Sequence, residues 1–191
     1  MLSTAFKSLG LDHFLDHLNG HARRLIFGNM INAIGMGLTM TLFLVYLHTI
    51  RGFSGGFSGL VMSYMAVVSM IINPLVGILI DKYGGRIVLI LGLFIKAFGV
   101  FLLAFVETKL QVIVVATILA IGDAANWPAQ TVCLTRMVEE EGRQKVFAFN
   151  FMALNLGIGI GGIFSALIVT AGELATYQRL YWMDSVTYLV Y

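Results

Sequence analysis

The chain has 191 residues, of which 59% are hydrophobic and only 12% are charged, and its formal net charge is +2. A soluble domain is normally about one quarter charged, so this composition excludes a water-solvated globule and indicates a chain that lipid solvates over much of its surface. The small net charge gives no electrostatic basis for binding nucleic acid, and the single cysteine, Cys133, excludes an internal disulfide framework.

Five apolar runs are long enough to cross a bilayer, because a helix needs about 20 apolar residues to span about 30 Å of hydrocarbon. The runs lie at residues 25–48, 57–80, 87–106, 112–135 and 146–171. They are continuous and do not alternate with a period of two, which favours helices over barrel strands. A sixth run begins near residue 179, and the chain ends at Tyr191 before that run is long enough to cross. The predicted fold class is an all-α membrane protein, with five complete transmembrane helices and part of a sixth.

Residues 1–24 are predicted to form a cytoplasmic N-terminal segment, and residues 25–191 to form the transmembrane helix bundle. Apolar residues in the N-terminal segment recur with the helical spacing i, i+3, i+4, i+7: Leu11, Phe14, Leu15 and Leu18. This spacing predicts an amphipathic helix that lies on the membrane surface. Three histidines four residues apart share one face of the segment, but they lack the HExxH pattern, so no metal or cofactor site is predicted.

The distribution of Lys and Arg over the predicted turns favours one orientation in the membrane. One side carries eight of them: Lys7, Arg23, Arg24, Lys82, Arg86, Arg136, Arg143 and Lys145. The other side carries three: Arg51, Lys109 and Arg179. Because basic residues concentrate in cytoplasmic loops, the N-terminus and the turns at 77–86 and 139–145 are predicted to be cytoplasmic. The chain is expected to be a multi-pass protein of the plasma membrane.

The turn between the second and third runs reads GILIDKYGGR and begins at Gly77. It resembles the signature turn between the second and third helices of the major facilitator superfamily. The residues in matching positions are Gly77, Leu79, Asp81, Lys82, Gly84 and Arg86. The resemblance extends from about Ile26 to the end of the chain, through Gly122, Pro128, the EEEGRQK turn, NLGIGIGG and YWMDSVTYL. It implies the N-terminal half of a transporter whose missing C-terminal half would complete the substrate site.

Asp81 in this turn lies at the end of a predicted helix, where a negative charge is unfavourable without a partner. In the family the corresponding Asp engages the neighbouring half and helps to latch the outward-open form. The resemblance therefore implies a conformational latch built on Asp81, Lys82 and Arg86, with Gly77 allowing close helix approach and Gly84 and Gly85 allowing the chain to reverse. A second interpretation is that the two basic residues only set the topology.

Two charged residues lie inside predicted spans, Lys96 in the third and Asp123 in the fourth. Charges in hydrocarbon are costly, which makes both of them functional candidates. At about 1.5 Å per helical residue, Lys96 lies about 14 Å and Asp123 about 18 Å from the cytoplasmic ends of their helices, so the two could pair. Three interpretations of Asp123 stay open: a proton carrier, a ligand for a cationic substrate, or a static ion pair with Lys96.

Polar residues on two helices extend this candidate site. Residues of the first run that share one face are Asn29, Asn32, Met36, Thr39 and Phe43, and those that follow Asp123 in the fourth run are Asn126, Trp127 and Gln130. These faces predict either a cavity wall or hydrogen bonding between helices, with Trp127 stacking on a substrate or packing.

Small residues on the fifth helix predict close helix packing: Gly157, Gly161 and Gly162. Asp184 lies about one turn into the sixth predicted helix, where an interfacial or capping role is expected.

The sequence contains neither a GxSxG nor a GxxxxGK[ST] motif, so an enzyme is not predicted. Its low polarity and buried acid favour a secondary transporter that expels a small, moderately apolar or cationic compound, with protons as a candidate coupling ion. Metabolite uptake and a non-transporting scaffold or receptor on the same fold are the alternatives. Two departures put a drug–proton antiporter subtype in doubt: Ile118 stands where many family members carry Arg, and Gly162 stands where the antiporter motif has Pro.

Overall fold

The computed structural model of the protein describes residues 20–190, whose long elements are all helices. The six helices are α1 (Gly20–Met40), α2 (Gly55–Tyr83), α3 (Gly85–Leu103), α4 (Lys109–Met137), α5 (Arg143–Ile168) and α6 (Leu174–Val190). The first span continues beyond α1 through the short helix Phe43–Val45 and a π-helical turn at Tyr46–Ile50, and a 3-10 turn at Glu140–Gly142 leads into α5. The predicted all-α fold class is confirmed. The predicted amphipathic helix lies outside the described residues.

Five segments within residues 20–190 have the length and hydropathy of a membrane span, and each contains most of one predicted run. The sixth helix begins at Leu174, earlier than the predicted start near residue 179. Two polar residues that precede the predicted start have hydrogen-bond partners in the first turns of this helix. Thr176 Oγ1 donates to Glu173 O at 2.8 Å, and Gln178 Nε2 donates to Ala104 O at 2.9 Å. Satisfied in this way, these residues are tolerated inside the helix.

Glycines on α3 let this helix pack closely against α4. Gly85, Gly92 and Gly99 are seven residues apart and therefore share one face of α3. A Cβ atom added to Gly92 would lie 2.8 Å from Ala125 Cβ, and one added to Gly99 would lie 2.9 Å from Leu119 Cδ2. Small residues permit van der Waals contact between helix backbones, which drives helix association in lipid. The α3–α4 contact thereby fixes the relative depth of the side chains on both helices.

The predicted turn glycines have two different roles. Gly84 adopts φ +85°, a backbone conformation that residues with a Cβ rarely adopt, and it separates α2 from α3. Gly85 has no positive φ and is already the first residue of α3. A Cβ there would lie 3.1 Å from Ala129 O and 3.2 Å from Cys133 Sγ. Gly85 therefore serves the contact with α4, and Gly84 alone reverses the chain.

The far end of the bundle holds the turns 51–54, 104–108 and 169–173. The opposite end, which holds the turns at Gly84 and at residues 138–142, is the basic end. A hydrogen-bonded cluster at the far end ties the first span to α3 and α6. Tyr46 Oη donates to Leu103 O at 2.8 Å and accepts from Arg51 Nε at 2.8 Å. Arg51 Nη2 also donates to Ala104 O at 2.6 Å. Together with the Gln178 bond to the same carbonyl, this cluster holds α6 against α1 and α3.

Candidate functional site

A central cavity of about 340 Å³ lies between α1, α2, α3, α4 and α6. Methionine and aromatic side chains form most of its apolar wall: Met36, Met40, Met62, Met65, Phe43 and Tyr188. The polar part of the wall consists of Thr39, Lys96, Asp123, Tyr181 and Asp184. Methionine is flexible and polarisable, and such surfaces adapt to ligands of different shape. The cavity therefore combines an adaptable apolar surface with charged side chains.

Lys96 and Asp123 meet in this cavity, where Lys96 Nζ donates to Asp123 Oδ1. The glycine before the acid makes the contact possible, because a Cβ at Gly122 would lie only 2.9 Å from the Lys96 backbone nitrogen. The Lys96 side chain is 12% exposed, whereas the Asp123 side chain is 44% exposed. One side of the Asp123 carboxylate therefore remains open to the cavity while the other side holds the ammonium group.

Asp184 contradicts the interfacial position that the sequence suggested, because it lies inside the bundle and is only 1% exposed. Thr39 Oγ1 donates to Asp184 Oδ2 at 2.6 Å. The missing side chain of Gly35 provides the space, since a Cβ there would lie 2.5 Å from Asp184 Oδ1. The spacing of Tyr181, Asp184 and Tyr188 on one face of α6 was the available sequence signal. It was missed because a short apolar run placed Asp184 close to a helix end.

The structure thus assembles two carboxylates and one ammonium group from three helices around one cavity. Lys96 Nζ lies 5.8 Å from the centre of the Tyr188 ring, a cation–π distance. Within residues 20–190, Lys96 forms an ion pair with Asp123 and none with Asp184. With all three groups ionised, the cluster carries one net negative charge inside the bundle. Such a site favours the entry of one further positive charge.

Asn29 forms a hydrogen bond between helices, one of the two interpretations left open for this face. Its Nδ2 donates to Asn150 Oδ1 at 2.9 Å, and both residues are buried. Asn150 lies on α5 and was not singled out in the sequence, where a lone Asn in an apolar run has no spacing that marks a partner. The pair ties α1 to α5 near the basic end.

Replacing Asn29 with Leu is expected to lower the free energy of unfolding by about 1–3 kcal/mol, because Asn150 is left buried without its hydrogen-bond partner. Equilibrium unfolding of the purified protein in mixed micelles measures the loss. The double variant Asn29→Leu/Asn150→Leu should recover most of it, since no unpaired polar group then remains. A double variant that is less stable than Asn29→Leu would show that the pair is not the cause.

Three other predicted polar residues do not line the central cavity. Asn32 and Gln130 are buried, and Asn126 is half-buried. Asn32 Nδ2, Asn126 Oδ1 and Gln130 Nε2 have no hydrogen-bond partner within residues 20–190. Trp127 is 54% exposed and also lies outside the cavity. Within the described residues, these amides of α1 and α4 thus keep unused hydrogen-bonding capacity, and the structure does not join them to Asp123.

The side chains of the predicted latch are exposed at the basic end. Asp81, Lys82 and Arg86 are all on the surface of the described bundle. Within residues 20–190, Asp81 has neither an ion pair nor a side-chain hydrogen bond, while Lys82 Nζ lies 5.1 Å from the centre of the Tyr83 ring. A Cβ at Gly77 would meet nothing within 4 Å in the same part of the chain. The turn therefore presents an acid to whatever lies outside the bundle.

The predicted packing glycines of α5 separate into two kinds. A Cβ at Gly157 would lie 2.7 Å from Ala33 Cβ, and one at Gly161 would overlap the carbonyl oxygen of Ile34 and lie 2.9 Å from Gly37 Cα. Both glycines hold α5 against α1. Gly162 faces another direction, where a Cβ would meet nothing within 4 Å of the described residues.

Sequence comparison places this helical bundle among known membrane transporters. The profile of the Major Facilitator Superfamily matches residues 25–191. A protein of Lactococcus lactis described as a multi-drug resistance efflux pump PmrA homolog is 27% identical over 154 residues, which is 76% of this chain and 38% of that protein. The uncharacterized MFS-type transporter YttB of Bacillus subtilis is 27% identical over 167 residues, 87% of this chain and 41% of that protein.

The quinolone resistance protein NorA of Staphylococcus aureus is 28% identical over 144 residues, 72% of this chain and 36% of that protein. The chain therefore spans about two fifths of the length of these relatives. The resemblance that the Gly77 turn indicated is confirmed. With the family profile matched over residues 25–191, the chain belongs to the Major Facilitator Superfamily.

Proposed function

We propose that the full-length protein containing this chain is a secondary transporter that expels a small, moderately apolar or cationic compound. The observation that carries the proposal is the Asp123 carboxylate, which is 44% exposed at a cavity walled by methionine and aromatic side chains. Thioether and aromatic groups accommodate apolar bodies of varied shape, and the acid selects positive charge. Relatives described as a multi-drug efflux pump and a quinolone resistance protein support export as the direction.

The proposed transport cycle needs a second helix bundle that completes the site. Two halves that rock about a substrate site near the membrane midplane give alternating access without large changes inside either half. The exposed side chains at the cavity mouth, Met40 and Met62, are the surface that the second half would cover in one state. We propose a plasma-membrane location with the basic end in the cytoplasm, which follows the distribution of Lys and Arg.

Replacing Asp123 with Asn is expected to slow ethidium efflux at least ~10-fold, because a charge-assisted contact of about 1.5–3 kcal/mol is lost. The measurement is ethidium flux in proteoliposomes that contain the full-length protein. Glu107→Gln, which removes an exposed carboxylate in a far-end turn, is the matched control and should transport like the wild type. Wild-type flux no faster than that of empty vesicles would favour the scaffold or receptor. Full flux in Asp123→Asn would place the site elsewhere.

The exposed Asp81 turn is proposed as a latch that docks on the second half and stabilises the outward-open form. Asp81 is a carboxylate at a helix C-terminus without a partner in the described bundle, so a cation or helix N-terminus outside the bundle would stabilise it. Asp81→Asn is expected to slow ethidium flux several-fold while leaving ethidium affinity unchanged, because the exchange step and not the site is affected. Glu139→Gln is the control from the other basic-end turn. Unchanged flux in Asp81→Asn would contradict the latch.

A further inference from the structure

Asp184 is a second carboxylate in the central cavity, and the proposed substrate site at Asp123 does not use it. It lines the central cavity, yet it is 1% exposed and no Lys, Arg or His nitrogen within residues 20–190 lies within ion-pair distance of it. A buried acid without a paired cation is favoured as the neutral carboxylic acid. Asp123, by contrast, is more exposed and holds the ammonium group of Lys96. The two acids therefore suit different tasks in the same cavity.

The hydroxyl of Thr39 fits both protonation states of Asp184. When Asp184 is ionised, Thr39 Oγ1 donates to Asp184 Oδ2 at 2.6 Å. The same hydroxyl lies 3.4 Å from Met36 O, to which it can also donate. With its proton directed to that carbonyl, the hydroxyl can accept a hydrogen bond from a protonated Asp184 Oδ2. The carboxyl group of Asp184 therefore has a hydrogen-bond partner whether it is ionised or protonated, which favours reversible protonation.

Lys96 is placed to serve either acid. Its Nζ contacts Asp123 and lies 5.8 Å from the centre of the Tyr188 ring. Tyr188 follows Asp184 by four residues and shares its face of α6. A lysine side chain has several rotatable bonds and can redirect its ammonium group without a backbone movement. Both acids line the same cavity, so the group would remain beside polar or aromatic partners while it turns.

We propose that Asp184 carries the proton that this transporter exchanges for a cationic substrate, with Lys96 as the movable charge that links the two events. The inference rests on the proposed function. In the empty state Lys96 pairs with Asp123, and Asp184 is neutral. A cation that binds Asp123 displaces the ammonium group, which turns to Asp184. The O–H bond of Asp184 breaks, its electron pair stays on the carboxylate, and the proton passes to water in the cavity. One positive charge enters the site as another leaves.

The hydroxyl of Tyr181 is an independent sign that the cavity receives a polar molecule beside Asp184. It is buried, lines the cavity, and has no hydrogen-bond partner within residues 20–190. Tyr181 precedes Asp184 by three residues and therefore shares its helix face. A water molecule bound to this hydroxyl is the acceptor that the proposal assigns to the proton.

The titratable and charged groups around Asp184 come from three helices. Lys96 comes from α3, Asp123 from α4, and Tyr181 and Tyr188 from α6. Among the described residues, α1 and α2 contribute to the cavity only side chains that do not titrate, such as Thr39 and Met65. Within residues 20–190, no acid or base other than these lines the cavity.

The test is the number of protons released when tetraphenylphosphonium binds the full-length protein in lipid nanodiscs. Isothermal titration calorimetry in buffers of different ionisation enthalpy gives this number at neutral pH. The wild type and the Glu107→Gln control are expected to release about one proton per cation bound. Asp184→Asn is expected to release almost none. It should also bind more weakly, because Lys96 then has no second carboxylate to receive it.

A second pair of measurements keeps the inference testable if Asp184→Asn does not fold. Wild-type affinity for tetraphenylphosphonium should rise about tenfold per pH unit while Asp184 is neutral, and an affinity independent of pH would overturn the proposal. Lys96→Gln/Asp184→Asn should bind at least as tightly as the wild type, because the internal competitor is absent. Proton release that survives in Asp184→Asn would overturn the assignment of the proton to Asp184 but not the proposed function. A wild type that does not bind the cation would overturn the proposed function as well.

Discussion

The double variant Asp123→Asn/Asp184→Asn is expected to lower the free energy of unfolding by roughly 3–5 kcal/mol, well beyond the sum of the two single substitutions. In either single variant Lys96 retains one carboxylate, so each is expected to cost about 1 kcal/mol. When both acids are replaced by Asn, the ammonium group of Lys96, whose side chain is only 12% exposed, has no counter-charge and must stay unpaired or lose its proton. The measurement is equilibrium unfolding in mixed micelles, followed by circular dichroism.

A triple variant separates charge from packing in this experiment. Lys96→Met added to the two Asn substitutions removes the stranded ammonium group while keeping an apolar side chain of similar length. It should restore most of the stability lost in the double variant. Strictly additive losses would show that Lys96 does not share the two acids. Additive losses would also remove the basis for a movement of Lys96 between Asp123 and Asp184.

Substituting Leu for Gly161 is expected to destabilise the bundle by about 3 kcal/mol or more, because overpacked contacts between backbones cannot relax without separating the helices. A Cβ at this position already overlaps the Ile34 carbonyl of α1, and the larger side chain extends that conflict. Gly162→Leu is the matched control, since a Cβ there meets nothing within 4 Å among residues 20–190.

The same unfolding measurement distinguishes the two glycine variants. Gly162→Leu should stay within about 0.5 kcal/mol of the wild type or gain stability, because Leu favours helix more than Gly does. Equal losses in both variants would mean that a cause common to both positions, such as contact with lipid, and not the α1–α5 interface, sets the effect. A loss confined to Gly161→Leu would establish the close approach of the two helices.

The helices could be predicted because their cause is local. Each long apolar run becomes a helix in lipid, since the backbone must satisfy its own hydrogen bonds there. The start of α6 was misplaced for a related reason. Thr176 and Gln178 look like the polar boundary of a span, but Thr176 bonds locally to the Glu173 carbonyl, and Gln178 bonds to the Ala104 carbonyl, which only the folded chain brings close.

The contact between Lys96 and Asp123 could be anticipated from helix depth alone, because two charges at similar height in hydrocarbon are costly unless they meet. The role of Asp184 could not be anticipated in this way. Its burial depends on Thr39 and on the missing side chain of Gly35, and Thr39 lies 145 residues away in the chain. Proximity of that kind follows from how α6 lies against α1, which no local pattern encodes.

The glycines show the same division between local and tertiary causes. Gly84 reverses the chain with φ +85°, as a glycine in a short turn is expected to do. Gly85, its neighbour, is needed for the close contact with α4. The seven-residue repeat that it begins with Gly92 and Gly99 is visible in the sequence. The sequence does not show which helix this repeat contacts.

Equilibrium binding of tetraphenylphosphonium to the full-length protein in lipid nanodiscs tests most directly whether Asp123 is the acid of the substrate site. The wild type and Glu107→Gln should bind with the same dissociation constant. Asp123→Asn should bind at least ~10-fold more weakly, because the loss of a charged partner costs more than about 1.4 kcal/mol. Equal affinity in all three proteins would show that the cation does not bind at Asp123, in the cavity that this residue shares with Lys96.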